Sequence, residues 1–228
     1  MKMCNSVELR WEFTSVKRQS SVLIADVIHS RRKGRLRDLL GEKLEAASRA
    51  HARLKLIRAP YAVTAGDEFQ ALPASIEAIP ELILDLRRRM QPLELRIGVG
   101  IGFIEGPIRK PVNRLLGEAF ARARRAIDEV KSGANHKYPT LTAFRTPRES
   151  FDRVVNLVYG LNDTLLRNRT ATQWRTLEAY TQKRSVDGAA RALRLNISTA
   201  SRNLRRGHYW QLAEVASTMK EFFRSTWD

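Results

Sequence analysis

Residues 22–28 are apolar except for Asp26, a run too short for a buried helix and rich in β-branched side chains, so they read as a central strand. Along 31–51, Leu36, Leu39, Leu40, Leu44 and Ala47 recur at helical spacing. Residues 61–65 and 69–72 read as strands closed by the two-residue turn Gly66-Asp67. A second helix is predicted over 74–90, with Ile76, Ile79, Ile83 and Leu86 on one stripe, and a long strand over 93–104 stops at Gly106-Pro107. The order βαββαβ folds most simply as a four-stranded antiparallel sheet with both helices on one face, the ferredoxin-like plan. Residues 111–131 add a third helix and 140–144 an edge strand.

From residue 147 onward the strand pattern stops. Residues 150–166 are amphipathic through Val154, Val155, Leu157, Val158, Leu161 and Leu165, and further helices are expected at 172–182, 185–193, 198–206 and 210–223. The expected fold is therefore α+β: a ferredoxin-like palm domain over 1–146, then an all-α domain over 147–228. Residues 185–206 have helix-turn-helix spacing. Ala189 and Ala190 permit a close helix crossing, Leu195 and Ile197 plug the turn, and Ala200 and Leu204 face the core. Asn196 can take the left-handed conformation, and Ser198 can cap the second helix. That helix then offers Ser198, Thr199, Ser201, Arg202, Asn203, Arg205 and Arg206, groups suited to base edges and phosphates of double-stranded DNA. The alternative is a helical bundle whose Arg-rich face meets water or a protein.

Charge sharpens the picture. The 228 residues carry 41 Lys+Arg against 24 Asp+Glu, a net +17, which makes nucleic acid the leading partner class. Both halves are basic, so charge alone does not locate the binding face; residues 167–210 hold ten basic residues against two acidic ones. A solvated Arg-rich surface is the competing reading. No apolar run approaches the length of a membrane span, and residues 1–20 are studded with charge, so a cytoplasmic chain with no membrane partner is expected. The lone Cys4 offers no internal disulfide and fits a reducing compartment. Trp174, Trp210 and Trp227 read as packing anchors, and His29, His51, His136 and His208 as scattered surface or satisfied residues.

Asp26 interrupts an apolar strand, where an ionised carboxylate is costly unless paired or bound to a cation. In the βαββαβ plan the hairpin carrying Gly66-Asp67-Glu68 lies beside that strand, so Asp26 and Asp67 are expected to face each other. Two hard oxygen donors so placed suit Mg²⁺ or Mn²⁺ carrying a nucleoside triphosphate. Otherwise Asp67 is a turn residue and Asp26 a carboxylate satisfied by backbone N–H groups. Gly98, Gly100 and Gly102 lie on one face of a strand, opposite Ile97, Val99 and Ile101. Bare backbone there admits a ligand or a helix, more often the helix.

The motifs 22–27, Ala65-Gly66-Asp67-Glu68-Phe69, 96–102 and Gly117-Glu118-Ala119-Phe120 with Ala123 and Arg125 resemble, in order, those of class III nucleotide cyclases and GGDEF diguanylate cyclases. With the C-terminal segment the chain resembles the SatD family over nearly its whole length. The cyclase resemblance implies metal binding by Asp26 and Asp67, nucleotide contacts from Val27, Gly66, Glu68, Gly98 and Gly100, and a catalytic role for Arg125. Val63, Arg114 and Ala121 replace the cyclases' base-reading and transition-state groups, and Ala65 replaces the first glycine of GGDEF. Losing one such preorganised group costs on the order of 10²–10³ in rate.

The expected function is a DNA-binding regulator whose palm binds a nucleoside triphosphate or cyclic nucleotide with metal. An active Mg-dependent nucleotidyl cyclase or nucleotidyltransferase with a DNA-localising tail is the alternative. A degenerate palm acting as a homodimer scaffold is a third reading.

Overall fold

The computed structural model describes residues 19–28, 34–106, 112–133 and 140–227; Cys4, His29 and His136 lie outside them. The described elements run β1 (Ser20–Val27), α1 (Gly34–Arg53), β2 (Ala62–Ala65), β3 (Glu68–Ala71), α2 (Ile79–Arg89), β4 (Leu95–Gly102), α3 (Glu118–Ser132), β5 (Thr142–Arg145), α4 (Glu149–Arg167), α5 (Ala171–Lys183), α6 (Val186–Leu193), α7 (Ile197–Arg206) and α8 (Tyr209–Trp227). This is a mixed α+β fold. Helix α2 begins five residues later than the pattern over 74–90 suggests, because Pro80 has no N–H to give and is tolerated only in a first turn.

The five strands form one sheet in the order β2-β3-β1-β4-β5. All pairs are antiparallel except β4 with β5. The period of two assigns the faces. Leu23, Ala25 and Val27 of β1, with Ile97, Val99 and Ile101 of β4, join Leu40, Leu44 and Ala47 of α1 and Leu82, Ile83 and Leu86 of α2 in the main core. Val22 and Ile24 point the other way, against Ala119, Ala123 and Ile127 of α3. Strand β1 is thus covered on both faces, which is why its sequence is continuously apolar instead of alternating.

The β4 glycines are the seat of α3. A Cβ on Gly98 would stand 2.4 Å from the Ile127 backbone nitrogen, and one on Gly100 would stand 2.1 Å from the Ala119 carbonyl oxygen. The expectation that these two glycines contact nucleotide is corrected accordingly: the helix backbone fills the space a ligand would need.

Beyond β5 the chain is helical, and it remains part of the same core. Phe151, Val155 and Tyr159 of α4 and Met219 and Phe223 of α8 pack with Phe144 of β5 and the sheet's apolar residues. Helix α4 also hydrogen-bonds the free edge of β5. The Phe144 N–H donates to Asn156 Oδ1 at 2.7 Å, and Asn156 Nδ2 donates to the Phe144 carbonyl at 3.1 Å. Asp152 accepts from the Thr146 N–H at 3.0 Å, and Asp163 from the Leu141 N–H at 2.8 Å. Asp163 is fully buried and meets Arg87 of α2 at 3.4 Å; Arg87 also donates to the Leu95 carbonyl and to Thr142 Oγ1, at 2.8 and 2.7 Å.

His51 is a buried, satisfied histidine and not a surface one: Nδ1 meets Tyr61 Oη at 2.7 Å and Nε2 meets Asp85 Oδ2 at 2.8 Å. Arg88, bonded to the same Asp85, also reaches Glu178 of α5. Trp227 packs on Phe151, Trp174 lies under the Arg169 guanidinium, and Trp210, although 44 % exposed, packs edge-on against Tyr180 of α5.

The α6–α7 connection differs in detail from its sequence reading. Arg194 holds the left-handed conformation, at φ 54° and ψ 43°, while Asn196 is extended at φ −68° and ψ 146°. Asn196, not Ser198, occupies the cap position of α7. Leu195 is half-buried, but Ile197 is exposed and does not plug the turn. The small-residue seat is as expected, with Ala189, Ala190, Ala200 and Leu204 all buried.

Truncating Asp163 leaves a buried guanidinium unpaired and a β5 N–H unsatisfied. Asp163→Ala is expected to destabilise the protein by about 3–5 kcal/mol, read from urea unfolding midpoints. A loss of about 1 kcal/mol or less would show that the pair adds little.

Candidate functional site

At the end of the sheet, β1 and β3 bring carboxylates together on the α3 side. Asp26 follows Val22 and Ile24 on that face by the strand alternation, and its registered partner across the β1–β3 ladder is Glu68. This corrects the expected facing pair: Glu68 is directly opposite Asp26, while Asp67 sits in the turn beside it. The turn forms because Gly66 takes φ +65°, a conformation only glycine adopts without strain. Asp67 is half-buried, and its charge acts on Asp26.

Cations from β4 and α3 close over these carboxylates. Asp26 Oδ2 accepts from Arg96 Nη1 at 3.3 Å, and its other oxygen lies 3.4 Å from Lys131 Nζ. Lys131 also donates to Glu68 Oε2 at 3.2 Å, so one ammonium bridges the two carboxylates. Arg124 grips Glu68 with both terminal nitrogens, at 2.7 and 2.6 Å, and Thr64 Oγ1 donates to Glu68 Oε1 at 3.0 Å. Asp26 and Glu68 are each only 7 % exposed, so these contacts operate at low local dielectric.

The two carboxyls respond in opposite directions. Burial raises the Asp26 pKa, with Asp67 adding to the rise and Lys131 and Arg96 only partly opposing it. Burial pushes Glu68 up as well, but the bonds from Arg124, Lys131 and Thr64 outweigh it and bring Glu68 down to about 2. Glu68 is therefore held as an anion by its partners, whereas burial and the Asp67 charge are only partly offset at Asp26.

Other site expectations fall out plainly. Val27 points into the main core on the opposite face. Arg125 is exposed, and Arg124 is the α3 arginine that reaches the carboxylates. Arg96, Arg124 and Lys131 were missed, although Arg124 and Lys131 stand seven residues apart, on one helical face, in the motif-bearing helix. On α7, Ser198, Arg202, Arg205 and Arg206 are exposed and Thr199 and Ser201 half-buried. Asn203 turns inward and donates to Thr176 Oγ1 of α5 at 3.1 Å, which removes it from the outer face. Among the described residues there is no group of three or more His, Cys, Asp or Glu side chains arranged to hold a metal ion.

Fold and site together define a basic α+β protein with a cation-locked carboxylate pair at one end of its sheet. The SatD family model matches residues 21–205, and the chain belongs to that family. No curated protein matches it. Two solved structures of a bacterial light-regulated adenylyl cyclase align at 17 % identity, with TM-scores of 0.37 and 0.35. They cover 56 % and 55 % of this chain, which spans 42 % and 74 % of theirs. A regulator of polyketide synthase expression from Bifidobacterium adolescentis aligns over 91 % of this chain and 86 % of its own, at 17 % identity and TM-score 0.27. No helix of the described residues is long and apolar enough to cross a membrane.

Because Glu68 is lowered from 4.5 to about 2, its contribution to stability is full above pH 4.5 and is lost as pH falls through 2. Glu68→Gln is expected to cost about 2–3 kcal/mol at pH 7, with the gap to wild type closing between these limits in pH-dependent urea unfolding. A gap that stays constant to pH 2 would mean the carboxylate charge is not what stabilises the site.

Proposed function

We propose that this protein is a DNA-binding regulator, with α5–α7 acting as a helix-turn-helix and the sheet unit as a ferredoxin-like palm that senses a nucleotide with a divalent metal. The observation that carries the DNA part is the outer face of α7. Arg202, Arg205 and Arg206 are exposed there with Ser198, above a seat of Ala189, Ala190, Ala200 and Leu204 that sets the helix crossing. Arg191 and Arg194 extend the basic face onto α6 and the turn. Phosphates of the duplex would pair with the flanking guanidinium groups, and Arg202 would read a base.

The palm part rests on the carboxylates. Asp26 and Asp67 are hard oxygen donors near enough to repel, as expected of metal-binding carboxylates in the cyclase-like motifs. Lys131 supports the fit, since its ammonium bridges Asp26 and Glu68 where positive charge is wanted. A divalent ion held by Asp26 and Asp67 would supply charge neutralisation for a nucleotide's phosphates. Lys131, Arg124 and Arg96, which pair with Asp26 and Glu68 here, would turn from those carboxylates to meet the phosphates. Turnover is the second reading, favoured by this same gathering of three cations around two carboxylates, a setting able to stabilise charge on a transferring phosphoryl group.

In full-length protein, Arg202→Ala is expected to weaken specific duplex binding by about 1–3 kcal/mol, measured by fluorescence anisotropy. Arg206→Ala should weaken binding across sequences and reduce the salt slope by about one. Binding unchanged in both variants would refute the assignment of α7 as the reading helix.

Asp26→Asn and Asp67→Asn should each abolish Mg²⁺- or Mn²⁺-dependent nucleotide binding in calorimetry while the far-ultraviolet dichroism is retained. Unchanged binding in both would remove the metal from the proposal. A cyclic or dinucleotide product that disappears in Asp67→Asn would turn the sensor into an enzyme.

A further inference from the structure

Arg169, at the joint between α4 and α5, is a buried cation without a counter-ion among the described residues. It is 9 % exposed, and neither Nη1 nor Nη2 has a hydrogen-bond partner among the described residues. Its Nε donates to the Gly207 carbonyl just past the end of α7 at 2.5 Å, and its guanidinium lies 4.6 Å from the centre of the Trp174 ring. Burial lowers its pKa to about 10, with no neighbouring charge opposing the shift. A buried charge without a partner costs several kcal/mol, so its persistence calls for an explanation.

The space beside it supplies one. A cavity of about 250 Å³ is lined by Arg87, Gln91, Glu94, Arg167, Arg169 and Trp174, among others. Three of these residues are arginines and one is acidic, and Glu94 is already approached by Arg167 at 4.0 Å. Arg87 adds a further buried N–H, at Nε, that has no partner among the described residues. A second, more apolar cavity of about 180 Å³ shares Arg169 and Trp174 as its wall. Arg169 therefore stands in a wall shared by two cavities, and an anion entering there has two unpartnered Nη groups to meet.

We infer that this joint is a second ligand site, which takes a small oxyanion, phosphate or carboxylate, on the Arg169 fork with Arg87 Nε and Arg167 beside it. The chemistry is specific: a planar guanidinium fork matches two oxygens of one anionic group. The position is also distinctive, because Arg169 joins the α4–α5 corner to the residue that ends α7. The site is separate from the Asp26–Glu68 cluster and stands whether or not that cluster binds a nucleotide.

Full-length protein is titrated with inorganic phosphate and, separately, with acetate, at constant ionic strength set with sodium chloride, following melting temperature and tryptophan fluorescence. The expected result is a saturable rise in melting temperature with one or both probes, and a fluorescence change that disappears in Trp174→Phe. Arg169→Met should weaken the affinity by about ten- to a hundredfold, since a charge-assisted bond of about 1.5–3 kcal/mol is lost. Its own melting temperature without ligand should equal or exceed that of wild type, because the unpaired charge is gone. Arg169→Lys, which keeps the charge without the fork, should also bind more weakly than wild type, and it serves as the test should the Met variant not fold. Phosphate against acetate identifies the anion class. Equal responses in wild type and both Arg169 variants, or no response of wild type to either probe, would overturn the assignment.

Discussion

The outer edge of β5 is completed by side chains and not by another strand, and the placement of everything after residue 146 depends on this. Asp152, Asn156 and Asp163 lie on one face of α4 and take up the Thr146, Phe144 and Leu141 N–H groups in turn. An open strand edge is a template for unwanted pairing, and a helix that hydrogen-bonds it closes the sheet. The arrangement also aligns α4 with the strand, because three bonds spaced along a helix cannot all form at another angle. From that alignment Phe151, Val155 and Tyr159 reach the core, and α8 returns to bury Phe223 beside Phe144.

Two carboxylate clusters in the molecule solve the same electrostatic problem differently. Asp163 is fully buried and meets one buried arginine, a hydroxyl and a backbone N–H, so its partners are fixed by packing. Asp26 and Glu68 are held by side chains that keep solvent access, with Arg124 43 % and Lys131 32 % exposed. Breaking either cluster is costly because its carboxylates are buried, but the cations of the second keep contact with water and those of the first do not. The first cluster is therefore enclosed by packing, whereas the second is reached from solvent at the end of the sheet.

Element order, the Gly66-Asp67 turn and the apolar face of the sheet were legible in the sequence because the periods of two and 3.6 are local properties. So was Asp26 as an anomaly, since a charge within an apolar strand needs a partner. What the sequence withheld was the identity of the partners. Glu68 instead of Asp67 stands opposite Asp26 because the β1–β3 ladder pairs Ala25 with Phe69 and Asp26 with Glu68, and one residue of slip would change the face of every side chain. Arg124 and not Arg125 reaches inward because the two are about 100° apart around α3, and the rotation of that helix is set by the glycine seat on β4. The turn before α7 went to Arg194 instead of Asn196 for a similar reason: the left-handed residue falls where α6 ends, which the short polar side chain of Asn196 does not determine.

Packing between the sheet unit and the α5–α7 bundle has a different character from either interior. The contacts named across it are polar, Arg88 with Glu178 and Arg169 with Gly207, and two cavities lie alongside them. Protein interiors are close-packed and respond to a ligand by resisting it, whereas a loosely filled joint can be filled in more than one way. For binding at the sheet to alter binding at α7, a ligand must favour one of two arrangements through contacts that differ between them. The joint is where such contacts can differ without breaking the core, because Arg169 touches both the α4–α5 corner and the end of α7. Under the proposed function, linkage would require reciprocity: an anion that strengthened DNA binding by settling the joint would itself be bound more tightly when DNA is present, by the same factor.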